Sequence, residues 1–68
     1  MENAKYIFRE LDDKLMVLIF DNEEDEYYNC CLINPTKDMD TFRILKNDFT
    51  DYANELISNN FEEIRYLR

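Results

Sequence analysis

A chain of 68 residues holds one domain with a thin core, since a body this small hides only about 60% of the surface its unfolded form exposes. Its 46% hydrophobic residues, with five Tyr and five Phe, exclude a disordered acidic tail, and residues 1–68 read as a single acidic domain. Eight Lys and Arg against sixteen Asp and Glu leave a net charge of −8, which repels nucleic acid and anionic membranes and attracts basic proteins.

The N-terminal Met1-Glu2-Asn3-Ala4-Lys5 has neither the basic start nor the long apolar stretch of a secretory signal, so a cytoplasmic protein is expected. Lys5 to Leu11 is rich in aromatic and branched residues, Asp12-Asp13 marks a turn, and Lys14 to Phe20 is a second strand-like run; together they predict a hairpin. The apolar part of that run, Leu15 to Phe20, is far too short to span a bilayer. Asp21 to Glu26 is an acidic connector, and Tyr27 to Ile33 predicts a third strand that ends at the turn dipeptide Asn34-Pro35. Cys30 and Cys31 are adjacent in this strand and point to opposite faces, which makes them a poor disulfide pair and favours reduced thiols.

From Asp40 the period changes. Phe42, Leu45, Phe49, Tyr52 and Leu56 recur at spacings of three and four, with Ala53 and Ile57 beside them, and predict an amphipathic helix. Asp38 or Asp40 would cap its start, and Asn59-Asn60 would supply the left-handed residue at its end in a chain without Gly. An alternative makes Thr41 to Lys46 a fourth strand and starts the helix near Asp48, because Phe42 and Ile44 also alternate. Phe61 to Leu67 closes the chain as a strand. The predicted class is α+β: an antiparallel β-β-β-α-β sheet with one helix on one face.

One helix covers one face of a sheet, yet the second strand is apolar on both, with Leu15, Val17 and Ile19 opposed to Met16, Leu18 and Phe20. A homodimer answers this, with strand two and Tyr6, Phe8, Tyr27 and Tyr28 covered by the second copy; a sheet curled around its helix is the alternative.

The usual parts of an enzyme are missing. There is no His, the single Ser is Ser58, and no Gly exists to build a phosphate-cradling loop, so neither catalysis nor a cofactor is expected. Asp21, Glu23 and Asp25 fit the first three ligand positions of a calcium loop, but Glu26 stands where the turn needs Gly and Leu32 where a bidentate carboxylate belongs. No metal is expected there.

What remains is the placement of carboxylates. They gather at Asp12-Asp13, along Asp21, Glu23, Glu24, Asp25 and Glu26, and on the helix, where Asp48, Asp51 and Glu55 fall within a sector of about 60° opposite the apolar stripe. Arg43 and Lys46 lie on another flank of such a helix. Neighbouring carboxylates at these spacings are roughly 5–7 Å apart, close to the separation of phosphates along a DNA strand. The ordinary explanation is a solvated helix face; the cost of placing like charges so close favours a functional one.

A short, Gly-free, aromatic-rich and strongly acidic chain with these clusters resembles the small host-takeover and anti-defence proteins of bacteriophages that mimic DNA. Within that group it looks like the phage inhibitors of the bacterial nucleoid protein HU. Inhibitors of uracil-DNA glycosylase, restriction enzymes and CRISPR nucleases share the same features. The resemblance implies a basic, DNA-binding host protein as partner, with Asp12, Asp13, Asp21 to Glu26, Asp48, Asp51 and Glu55 in contact with it. A second reading is a regulatory module that docks on a host enzyme, such as RNA polymerase, a nuclease or a protease, through apolar or edge-strand surface.

Overall fold

Alternating apolar residues in the first half of the chain do produce a meander, and the sheet then extends further than the leading sequence reading places it. The computed structural model describes residues 4–12, 14–36 and 38–66. In chain order these form β1 (Tyr6–Glu10), β2 (Met16–Phe20), β3 (Tyr27–Ile33), β4 (Met39–Leu45), a 3-10 turn (Lys46–Asp48), α1 (Phe49–Ser58) and β5 (Phe61–Tyr66). The strands make one sheet in the order β4-β3-β2-β1-β5, with every neighbouring pair antiparallel. The edge strands β4 and β5 therefore run parallel to each other, and α1 carries the chain across one face from one edge to the other. The fold is α+β.

Two expectations are corrected. Residues 39–45 are a fourth strand, and the helix begins at Phe49, not near Asp40. Phe42 fits both periods, so the spacing to Leu45 and Phe49 does not discriminate; the open edge of β3 does. Seven residue pairs from Tyr27↔Leu45 to Ile33↔Met39 satisfy that edge, and Thr41 and Ile44 are β-branched residues that suit a pleated surface. Asp38 precedes β4 and Asp40 lies within it, so neither caps the helix; Asp48 holds that position, with no side-chain capping hydrogen bond. Asn60 does take the left-handed conformation, with φ of 70°, and Lys14 does so before β2, with φ of 60°. Leu67, the expected end of the last strand, lies outside the described residues.

Phe8, Val17 and Ile19 are completely buried beneath the helix, with Tyr28, Cys30 and Leu56 closing the core around them. At about 1.5–3 kcal/mol for each large apolar side chain removed from water, these residues supply much of the driving force. The helix seats Phe49, Tyr52, Ala53 and Leu56 on the sheet, a three-four-seven stripe. Tyr6 stacks on Phe49 at 4.3 Å between ring centres, Tyr28 meets Phe49 edge-on at 5.5 Å, and Phe42 meets Tyr52 edge-on at 6.0 Å. Ile57 is corrected: it turns away from the core and is 55% exposed. No helix among the described residues is long and apolar enough to cross a membrane.

Candidate functional site

The acidic connector Asp21–Glu26 is an ordered turn. The Asn22 Oδ1 accepts the Glu24 N–H at 3.2 Å and the Asp25 Oδ1 accepts the Tyr27 N–H at 3.1 Å, side chains capping the backbone two residues on. Cations from other elements converge on it. Lys46 places its Nζ 2.6 Å from Asp21 Oδ1 and donates to the Asn22 carbonyl at 2.8 Å, while Lys5 reaches Asp21 Oδ2 at 3.3 Å. Arg43 bonds both oxygens of Asp25, at 3.2 and 3.3 Å, with its guanidinium 4.2 Å from the centre of the Tyr27 ring. The Lys46 ammonium, seconded by Lys5, holds the Asp21 carboxyl below its ordinary 3.8, and the Tyr27 amide with Arg43 does the same for Asp25. Asp21 and Asp25 are thus paired with cations within the fold. Glu23, Glu24 and Glu26 are exposed and make no ion pair among the described residues.

Asp48, Asp51 and Glu55 come together as their spacing predicts. They line one side of a groove of ≈ 440 Å³ whose other walls are Tyr27, Ile44, Leu45 and Tyr52, with Arg43 at its edge. None of the three carboxylates has an ion-pair partner among the described residues. Arg43, the nearby cation, is held by Asp25 and Tyr27. Burial pushes the Tyr52 phenol up to about 12, so it stays protonated and able to donate a hydrogen bond throughout the physiological range. The groove borders β4, an edge strand.

Tyr27, Ile44, Leu45 and Tyr52 are members of this groove that sequence patterning does not reveal, because they meet only once residues 39–45 pair with β3. The alternation of Phe42 with Ile44 is the signal that points to them.

The remaining carboxylates are divided. Lys46 N–H donates to the Glu26 carbonyl at 2.9 Å, so the connector and the start of the helix share one end of the sheet. Leu11 N–H donates to the Asn60 carbonyl at 3.0 Å and Asn60 Nδ2 to Asp12 Oδ2 at 2.7 Å, which puts Asp12 at the opposite end with the helix C-terminus. Asp13 lies outside the described residues. Among those described, no three His, Cys, Asp or Glu side chains converge in a way that holds a metal ion.

An acidic, aromatic groove thus runs along one edge of this α+β sheet. No protein-family model matches the chain, and neither a curated protein nor a solved structure matches it.

Proposed function

We propose that the protein binds a basic DNA-binding protein of a bacterial host and blocks its access to DNA, with Asp48, Asp51 and Glu55 standing in for a run of phosphates. The observation that carries this reading is three carboxylates gathered on one groove with no ion-pair partner among the described residues, where the neighbouring Lys5, Arg43 and Lys46 are paired with Asp21 and Asp25 of the connector. Nearby like charges cost stability, and an incoming Lys or Arg relieves that cost. Tyr27 and Tyr52 line the same groove and offer ring faces to the stems of such side chains. Glu23, Glu24 and Glu26, at the same end of the sheet, extend the negative surface. The nucleoid protein HU is the first candidate partner, and the host cytoplasm the place of action.

The test is titration against HU and other basic DNA-binding proteins, with a DNA duplex as competitor, from about 50 to 500 mM salt. Affinity falls steeply with salt and the duplex competes. Salt-indifferent binding that tolerates bound DNA overturns the reading.

A second reading rests on β4, whose outer edge pairs with no strand among the described residues and which carries Met39 at 63% and Leu45 at 39% exposure. A host enzyme would add a strand there. Neutralising Asp48, Asp51 and Glu55 separates the two, since strand addition survives it and phosphate mimicry does not.

A further inference from the structure

No described residue outside the sheet covers the face turned away from the helix. That face presents Ile7, Met16, Leu18, Phe20, Cys31 and Ile33 from the three central strands, all of them short of full burial. We propose that this face is a homodimer interface in which two copies of the chain stack sheet against sheet, with the helices outermost.

Two observations select a second copy as the occupant. The first is charge. Among the described residues, the carboxylate on this face is Glu62, held by Arg9 at 2.9 Å, and the one at its rim is Asp25, held by Arg43. The face is therefore free of unpaired negative charge in a molecule of net charge −8. Stacked sheets lie about 10 Å apart and each helix lies about 10 Å further out, so the two helices that carry Asp51 and Glu55 end up roughly 30 Å from each other. That is several times the screening length of about 8 Å at physiological salt, and the like-charge cost of association is small. The acidic edge and helix of the same molecule offer no such neutral surface.

The second is area. Five strands about 4.8 Å apart, each about five residues long, give a footprint of roughly 400 Å². Two such planes bury roughly 800 Å² before side-chain relief is counted, against about 1,200 Å² for the smallest specific interfaces. A hollow of ≈ 520 Å³ between Phe20, Cys31, Thr41 and Arg43 supplies relief for interdigitation.

This also revises the surface expected from sequence: Tyr6, Phe8 and Tyr28 point to the helix side and take part in the core, leaving Tyr27 with the open face.

Light scattering and sedimentation across about 5–500 µM protein, at about 0.15 and 0.5 M salt, test the proposal without any partner present. The mass is expected to rise from 8.4 kDa to twice that, with higher salt favouring the dimer. Over the same range, labelling of Cys31 by a thiol reagent slows as the face closes. Leu18→Lys is expected to remain monomeric with an unchanged circular dichroism spectrum. A mass of 8.4 kDa at every concentration, or Cys31 labelling independent of concentration in the unmodified chain, overturns the proposal.

Discussion

Lys46 and Asp21 meet at 2.6 Å across the joint between β4 and the β2–β3 connector, with both side chains about three-quarters buried. The pair ties the start of the helix segment to the acidic turn and removes Lys46 from the groove. Asp21→Asn leaves two partly buried ammonium groups without their anion, and a loss of about 1 kcal/mol is expected, or about 4–8 °C in Tm. The pH dependence follows from Asp21's lowered folded value. Its contribution is present above the unfolded value of 3.8 and is lost as pH falls through the folded one. Burial lowers Lys5, but its hydrogen bond to Asp21 and the nearby Tyr28 raise it on balance, so its share is present below 10.5 and lost as pH rises through the folded value. Thermal melts from acid to neutral pH are expected to show a shallower acid limb for Asp21→Asn than for the parent; identical limbs refute the assignment.

Neutralising the groove separates binding from stability. The combination D48N, D51N and E55Q removes three neighbouring like charges, so the folded state is expected to gain about 0.2–0.5 kcal/mol per relieved pair. Binding to a basic partner is expected to be lost at the same time. Urea denaturation and titration calorimetry on one preparation read both, and a variant that is destabilised or still binds with the parental salt slope contradicts the role given to the groove.

Asn60 sits at φ of 70° and donates to Asp12 at 2.7 Å. Asn60→Ala loses the side-chain bond and leaves in the left-handed region a residue without the short polar side chain that eases Asn there, at a cost of up to about 1–2 kcal/mol. Asn60→Gly loses only the bond, so most of the stability is expected to return. Equal losses for the two variants, measured by chemical denaturation, would show that backbone conformation is not the issue.

The two cysteines differ in reactivity although they are adjacent. Cys30 lies under the helix, where burial pushes its thiol up to about 11, and Cys31 opens onto the other face. Reaction with a thiol reagent at low micromolar protein and about pH 8 is expected to show one fast thiol, which Cys31→Ala removes and Cys30→Ala retains. Two equal rates would contradict the assignment of faces.

Core and surface truncations also diverge. Phe8→Ala empties a fully buried site and is expected to cost about 3–5 kcal/mol, enough to unfold most of a domain this small. Met39→Ala, at a residue 63% exposed, is expected to change stability by less than about 0.5 kcal/mol in the same urea titration.

The local patterns of the sequence determine a good deal. Leu15, Val17 and Ile19 opposed to Met16, Leu18 and Phe20 are enough to make β2 a strand with two apolar faces, though not to say which of them the helix covers. Tyr27–Ile33 runs from an acidic turn to Asn34-Pro35 and forms β3 over those same bounds. Asp48, Asp51 and Glu55 share one side of the helix by spacing alone, and Asn59-Asn60 end it. Long-range pairing decided the rest. Phe42 satisfies a helical and a strand period equally, and only the unpaired edge of β3 makes residues 39–45 a strand. That pairing creates the groove by bringing Tyr27 and Leu45 opposite each other beside the helix. Nor does spacing along the chain reveal that Asp21 and Asp25 are neutralised, because their cations, Lys5, Arg43 and Lys46, arrive from strands and turns up to 25 residues away. A charge belongs to a binding surface only if no other part of the chain reaches it first, and that is a property of the tertiary structure.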